Sequence, residues 1–258
     1  MTRRVERFEI TGTPRIFLRL PAGAARVVAG EDGVVEVRMS GREATLERFL
    51  VEERGGRIVI EPEGGRLGRW AGVDVEICLG TGAEIHTRLA SGDVTVNTEI
   101  ASLVVESGSG DVAAGAVSGD VKIKTASGDI KVDSVGGRLE IIAASGDVRV
   151  GSISEDVVAK TASGDIDIGE VAGSIVAHSA SGDIEVGRFM GDLFQAKTLS
   201  GDVRLGLTAG RSFAVEFQSL SGDIQTGFPV AGGGSSTGTT ARLSVTTMSG
   251  DIVVLDAG

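Results

Sequence analysis

Apolar and polar residues alternate along most of this chain in short runs, and the runs recur at a fixed interval. From about residue 90 each main run opens with Ser-Gly-Asp, after which apolar and polar positions alternate. This alternation is typical of a β-strand with one buried face. The motif starts at Ser91, Ser109, Ser127, Ser145, Ser163 and Ser181, eighteen residues apart, and then at longer intervals at Ser200, Ser221 and Ser249.

A weaker copy of the motif begins nine residues after several of the main ones, for example at Ser118 and Ser154. Each unit of eighteen residues therefore holds two strands and two turns. One such unit cannot bury its apolar face alone, but units stacked at the strand spacing of about 4.8 Å cover one another. The sequence predicts an all-β fold, a single-stranded parallel β-solenoid (β-helix) with about 18 residues per coil.

The apolar columns predict which side chains enter the core. One column after the Ser-Gly-Asp turn should form a buried file, and the residue that follows each of its members should face outward. The predicted file is Ile130, Val148, Ile166 and Ile184, with Lys131, Arg149, Asp167 and Glu185 outside.

The chain divides by regularity into two regions. Residues 1–89 lack the strict period, and we interpret them as an irregular, β-rich capping region continuous with the solenoid. Residues 90–258 form the regular Ser-Gly-Asp repeat, with a Gly/Ser-rich loop near 228–247. The capping region should contain a short helix at Glu43–Leu50 and strands at Arg15–Leu20, Ala25–Val28, Val34–Met39, Arg57–Ile60 and Val73–Leu79.

Composition limits the classes of function. Of the 258 residues 41% are hydrophobic and only 3% aromatic, which favours a narrow aliphatic core. The formal net charge of -11 argues against nucleic acid as a partner, since phosphate binding depends on Lys and Arg. No apolar run approaches about 18 residues, so we expect no direct membrane insertion. The sequence predicts a cytoplasmic protein, or a surface or secreted one if a leader has been removed.

Motifs for catalysis are missing from the sequence. It has no nucleophile elbow, phosphate-binding loop or zinc-protease motif, and its two histidines, His86 and His178, are far apart. We interpret His178 as a surface residue and assign His86 no role. The single cysteine, Cys78, excludes an intramolecular disulfide. We predict no enzyme, no catalytic residue and no cofactor; a polysaccharide-active enzyme using an acidic pair is a minor alternative.

The Ser-Gly-Asp motif itself has two interpretations. As a corner it combines a glycine that can adopt positive φ with oxygens that bond neighbouring backbone N–H groups. As a cation site it would use the stacked carboxylates, whose mutual repulsion must be offset. We favour the corner and predict no metal site; the alternative is a cation ladder at Asp93, Asp111, Asp129, Asp147, Asp165 and Asp183.

The segment "VDVEICLGTGAEIHTRLASGDVTV", the successive "SGDV/SGDI" units and the last "TTMSGDIVV" resemble the bacterial "putative adhesin" or toast-rack domain of unknown function. The resemblance extends from about Val5 to Leu255. It implies a single-stranded β-solenoid without known catalytic residues, often carried by proteins linked to cell-envelope stress. A non-enzymatic scaffold or protein-interaction module is therefore the leading hypothesis, and a secreted or surface adhesin is the alternative.

The chain end bears on self-association. The final Ser-Gly-Asp unit stops soon after Ser249, which predicts an incomplete last coil with free backbone N–H and C=O groups. We expect weak homodimerisation through Ile252 to Leu255. We also expect a protein partner, which the sequence does not identify.

Overall fold

The computed structural model describes residues 1–64, 72–208, 211–227 and 240–257, and these residues are almost all in β-strands. They fall into two compact units, Met1–Asp133 and Ser134–Gly258. No helix among the described residues is long and apolar enough to cross a membrane.

The first unit contains twelve complete strands and one short helix, and a thirteenth strand runs across its boundary. They are β1 (Thr2–Glu9), β2 (Arg15–Leu20), β3 (Ala25–Ala29), β4 (Val34–Gly41), α1 (Glu43–Leu46), β5 (Phe49–Arg54), β6 (Arg57–Pro62), β7 (Asp74–Leu79), β8 (Glu84–Leu89), β9 (Val94–Val96), β10 (Ser102–Ser109), β11 (Val112–Val117), β12 (Val121–Ser127) and β13 (Ile130–Val135).

Two sheets face each other in this unit, with strand orders β1-β4-β7-β3-β9-β11 and β12-β10-β8-β2-β6-β5. The pairs β1/β4, β4/β7 and β5/β6 are antiparallel, and the other pairs that we describe are parallel. Spatial order departs from chain order here, because β2 lies between β6 and β8. The sequence did not predict this insertion, because residues 1–89 have no repeat period that would indicate which strands are neighbours.

The second unit contains twelve complete strands. They are β14 (Leu139–Ser145), β15 (Val148–Ile153), β16 (Val157–Ser163), β17 (Ile166–Val171), β18 (Ile175–Ser181), β19 (Ile184–Phe189), β20 (Leu193–Lys197), β21 (Val203–Leu207), β22 (Ser212–Ser221), β23 (Ile224–Thr226), β24 (Thr240–Ser249) and β25 (Ile252–Asp256).

All described strand pairs of the second unit are parallel, as the predicted β-solenoid requires. The two sheets have the orders β15-β17-β19-β21-β25-β23 and β14-β16-β18-β20-β24-β22. The predicted core file is confirmed: Val148, Ile166 and Ile184 lie opposite one another in register and are buried. Ile130 is likewise buried in the first unit, and the four residues predicted outside the file are exposed.

The capping region is only partly as predicted. Its five predicted strands exist, but the helix is a single turn that ends at Leu46, because Phe49 and Leu50 already belong to β5. Strands β1, β5 and β8 were not predicted, and charged residues at five of the eight positions of β1 obscure its alternation.

The C-terminal part of the loop predicted near 228–247 is a strand. Residues 228–239 lie outside the described residues, but Thr240–Ser249 form β24 and pair with both β20 and β22. Small hydroxyl residues at 240, 246 and 247 made this stretch look like a loop, yet Ala241, Leu243 and Val245 supply a buried strand face.

The edge predicted at Ile252 to Leu255 is wrong. Strand β25 is paired on both sides, with β21 and with β23, so its N–H and C=O groups take part in two ladders. The strands that end the two sheets are β22 and β23, which precede β24 and β25 in the chain. The last segment of the chain therefore inserts between coils that are consecutive in sequence.

The buried file yields a first prediction. Ile166 is 1% exposed, so Ile166→Asp would place an unpaired carboxylate in an aliphatic core. We expect a loss of about 4 kcal/mol or more in the free energy of unfolding, measured by urea denaturation. The matched control is Asp167→Ala at the exposed neighbour, which should change stability by less than about 0.5 kcal/mol. Equal midpoints for both variants would refute the assigned strand face.

Aspartate corners and outer sheet faces

Glycine is required at each Ser-Gly-Asp corner for two reasons. Gly164 has a φ of 134°, a region that residues with a side chain rarely adopt. A Cβ on this residue would also lie 2.2 Å from the carbonyl oxygen of Gly146 in the preceding coil. The corner backbones therefore stack in close contact, and the sheet ladder continues through the turn, where the N–H of Gly164 donates to the carbonyl of Ser181 at 3.0 Å.

The aspartates of the second unit are linked to one another by hydrogen bonds. The backbone N–H of Asp165 donates to Oδ1 of Asp147 at 3.1 Å, and the N–H of Asp183 donates to Oδ1 of Asp165 at 2.9 Å. Each carboxylate thus accepts a donor from the following coil, which stabilises its negative charge. The chain of bonds continues through Asp202, Asp251 and Asp223, in that spatial order.

The first unit repeats the arrangement. The N–H of Asp111 donates to Oδ1 of Asp93 at 3.0 Å, and the N–H of Asp129 donates to Oδ1 of Asp111 at 2.9 Å. All six aspartates of the predicted column therefore occur in such ladders, as donors, acceptors or both. Asp202, Asp223 and Asp251 extend the ladder beyond the six predicted aspartates, and each of them also belongs to a Ser-Gly-Asp motif.

Buried hydroxyl groups support the same corners from inside. Thr161 donates from Oγ1 to the carbonyl of Ser163 at 3.2 Å, and Thr198 and Thr247 donate to Gly182 and Gly201, also at 3.2 Å. These three hydroxyls therefore lie in the core with a hydrogen-bond partner, as buried polar groups require. Threonine in an apolar column gave no sequence signal of this role, because it is also an ordinary strand residue.

In the second unit, acidic side chains lie beside the ladder on the outer face of the sheet that contains β15, β17 and β19. Asp165, Asp167 and Glu185 line one surface depression there. The other residues that line it are Asp147, Val148, Arg149, Ile166, Asp183 and Arg204. Arg149 pairs with Asp147 at 2.9 Å, and Arg204 pairs with Asp202 at 3.1 Å. Within the described ranges, no group of three or more His, Cys, Asp or Glu side chains has an arrangement suited to a metal ion.

The opposite outer face of the second unit has a different charge. Lys160, His178 and Lys197 lie in register on β16, β18 and β20, and we call them the basic row. These three strands contain no Asp or Glu. Outward apolar side chains flank the row: Val158 and Val176 on one side, and Ala162 and Ala180 on the other.

The environment of His178 disfavours the charged form of its imidazole. Burial lowers its pKa below the usual value, and the neighbouring charges of Lys160 and Lys197 lower the pKa further. The sequence placed this residue on the outside, and it is indeed outward, but it is only half exposed.

The other histidine lies on the outer face of the first unit. His86 contacts the ring of Phe17, with the ring centroids 5.0 Å apart, and the guanidinium of Arg57 lies over the same Phe17 ring at 4.3 Å. Burial lowers the pKa of His86, and the charge of Arg88 adds to the effect. Cys78 is buried, and burial raises the pKa of its thiol, which favours the unreactive protonated form.

Comparisons with known proteins agree with this architecture. The model of the family Toastrack DUF4097 matches residues 68–255. No curated protein is similar enough in sequence to match.

Solved structures similar to the chain include two proteins named "putative adhesin". The one from Bacteroides fragilis is 12% identical, covers 98% of this chain and 97% of its own, and has a TM-score of 0.42. The one from Parabacteroides distasonis is also 12% identical, with the same coverage and a TM-score of 0.44. A third structure, from the latter organism, is named "putative lipid binding protein"; it is 14% identical, covers 98% and 96%, and has a TM-score of 0.42.

The corner ladder yields a prediction about cations. Each aspartate that accepts an N–H from the next coil has one oxygen already engaged, and a flat file offers few further ligands, whereas calcium takes six to eight oxygens at about 2.3 to 2.6 Å. We therefore expect millimolar calcium to leave the melting temperature within about 1 °C of its value in chelator. The measurement is a thermal scan by circular dichroism, with magnesium as the control for ionic strength. A rise that follows calcium occupancy would establish the cation ladder instead.

Proposed function

Since the chain belongs to the Toastrack DUF4097 family, we propose that it is a non-enzymatic β-solenoid scaffold that uses the basic row to bind an acidic protein partner. We also propose that the protein is linked to cell-envelope stress, as its resemblance to the toast-rack domain implies. The observation that carries it is the separation of charge between the two outer faces of the second unit.

The charge separation is marked because the chain as a whole is acidic. With a formal net charge of -11, most of its surface repels an acidic partner. Four successive strands without an acidic residue, β16, β18, β20 and β24, therefore form an exception, and Glu140 on β14 and Glu216 on β22 bound them on the same face. A flat face of this kind combines apolar contact area with cations, which is the composition suited to an acidic and partly apolar protein surface.

The non-enzymatic part of the proposal has its own support. The acidic pair Asp165 and Asp167, which a polysaccharide-active enzyme would need, lies at an exposed corner among ion-paired arginines. A glycosidase needs two carboxyl groups on either side of a bound sugar.

A secreted or surface adhesin is the second candidate, and it differs from the first in location rather than in binding chemistry. Two of the similar structures bear that name, but TM-scores of 0.42 and 0.44 are too low to carry a function to this chain. The cytoplasmic location stays a prediction. Antibody labelling of intact cells of the source organism separates the two candidates, because only a surface protein is labelled without permeabilisation.

The binding prediction can be tested with a fluorescent synthetic peptide rich in Glu, Asp and Leu. We expect the full chain to bind it in fluorescence anisotropy, with an affinity that falls as salt rises. The double variant Lys160→Glu/Lys197→Glu should weaken binding at least tenfold, because it reverses the charge of the row.

The control for this experiment is Arg149→Glu/Arg204→Glu, which makes the same change in net charge on the opposite face. It should bind as the parent does. If both double variants lose affinity equally, only net charge matters; if neither does, the basic row is not the binding face. Either result refutes the proposal.

A further inference from the structure

We propose that the second unit ends in a surface for a second copy of this chain, formed by the outer edges of β22 and β23. We call this surface the open end. It lies apart from the basic row, and the inference does not depend on the proposed function.

No described residue covers the core of the second unit at the open end. Phe213, Val215 and Phe217 of β22 stand in register with Ala241, Leu243 and Val245 of β24, which are fully buried. Val215 is nevertheless 38% exposed, and both phenylalanines are half-buried. These side chains therefore continue the buried columns by one more coil, but no described residue covers them.

In the other sheet of the second unit, side-chain exposure also rises at the last strand, β23. Ile224 of β23 pairs in register with Ile252 of β25, and the exposed fraction rises from 1% at Ile252 to 46% at Ile224. On the outer side, the residue before Ser-Gly-Asp is alanine in earlier coils, as at Ala162 and Ala180. In the last three coils it is a larger apolar residue: Leu199, Met248 and Leu220, of which Leu220 is 79% exposed. Exposed apolar area is thus concentrated at this end of the unit, which is typical of an interaction surface.

In the first unit, charged side chains occupy the core side of an edge strand. There the outermost strand, β1, directs Arg4 and Glu6 toward the core side, and the two are ion-paired at 3.0 Å. Arg4 also donates to the carbonyls of Leu46 and Phe49, at 3.0 and 2.7 Å. Charged residues on an edge strand oppose pairing with another chain. At the open end the corresponding positions are Phe and Val, so this edge lacks that protection.

The strand edge itself is suited to pairing. Strand β22 has ten residues, and among the described residues only β24 pairs with it. A strand edge binds another strand through its backbone N–H and C=O groups. The edge carries little charge, because Glu216 is the only ionisable residue in β22 and β23 has none. Two copies of an acidic chain can therefore approach here with less repulsion than elsewhere.

A second copy fits this edge because an antiparallel pair of identical strands is self-complementary. A two-fold axis at Val215 places Phe213 opposite Phe217 of the second copy, and Glu216 opposite its Ala214. An axis at Phe217 places the two Phe217 rings together and Glu216 opposite Gln218. Both registers keep apolar side chains on the core side, whereas an axis at Glu216 would oppose two carboxylates and is disfavoured.

The size of the surface predicts a weak dimer. Ten residues at about 3.3 Å each span about 33 Å, and two sheets about 10 Å apart then give a cross-section of roughly 330 Å² per copy. This is below the size of a standard specific interface, as expected for a weak dimer. Because the edge strand β1 has Arg4 and Glu6 on its core side where β22 has Phe and Val, we expect association to stop at two copies.

Sedimentation velocity of the full chain tests the inference. From micromolar to near-millimolar protein we expect a monomer–dimer equilibrium, with no larger species. Higher salt should strengthen the dimer, because it screens repulsion between two acidic chains while leaving the apolar contact. Association through the basic row would weaken in salt, so the two surfaces are distinguishable.

Two variants locate the interface. Val215→Lys and Ile224→Lys should each weaken the dimer at least tenfold, with the melting temperature recorded to show that the monomer is folded. Val5→Lys, at an exposed position of β1, is the control and should dimerise as the parent does. Oxidation of Val215→Cys or of Phe217→Cys should yield a disulfide-linked dimer and report which residue lies on the axis. A chain that stays monomeric throughout, or dimers that both lysine variants leave unchanged, would overturn the inference.

Discussion

The close stacking of one Ser-Gly-Asp corner on the next is the constraint on which the rest of this structure depends. A Cβ at Gly164 would lie only 2.2 Å from the carbonyl oxygen of Gly146, so the corner leaves no room for a side chain. Once the corners stack this closely, the adjoining strands must be parallel and in register, and every apolar column becomes a file in the core. The aspartate that follows each glycine then lies near the backbone N–H of the next corner, and the N–H to carboxylate ladder results.

The regular part of the fold was predictable because this constraint leaves a strict period in the sequence. The file through Ile166 and the outward position of Asp167 followed from the alternation after each corner. The buried hydroxyls of Thr161 and Thr198 did not, since a threonine in a strand gives no sign that its Oγ1 bonds a corner carbonyl. Of the basic row only His178 was predicted to lie outside, because the row exists only once it is known which strands share a sheet.

The ends of the two units were less predictable, for a physical reason. Coils that share the same pattern of apolar positions can stack on one another in any order. The sequence period therefore does not predict which coils are neighbours. In the first unit β2 inserts between β6 and β8, and in the second β24 inserts between β20 and β22. The longer intervals before Ser221 and Ser249 signalled an irregularity, but not this exchange of order. As a result the exposed apolar edge is at β22, and the chain end is enclosed.

Amide hydrogen exchange at the corner aspartates tests the stacking account most directly. Asp165 is an exposed turn residue, yet its N–H donates to Oδ1 of Asp147, and that of Asp183 donates to Asp165. The account predicts that both amides exchange as slowly as that of Ile166 in the adjoining strand, and that Asp165→Ala accelerates exchange at Asp183 while sparing Ile166. Exchange of the corner amides at the rate of an unprotected turn would contradict it.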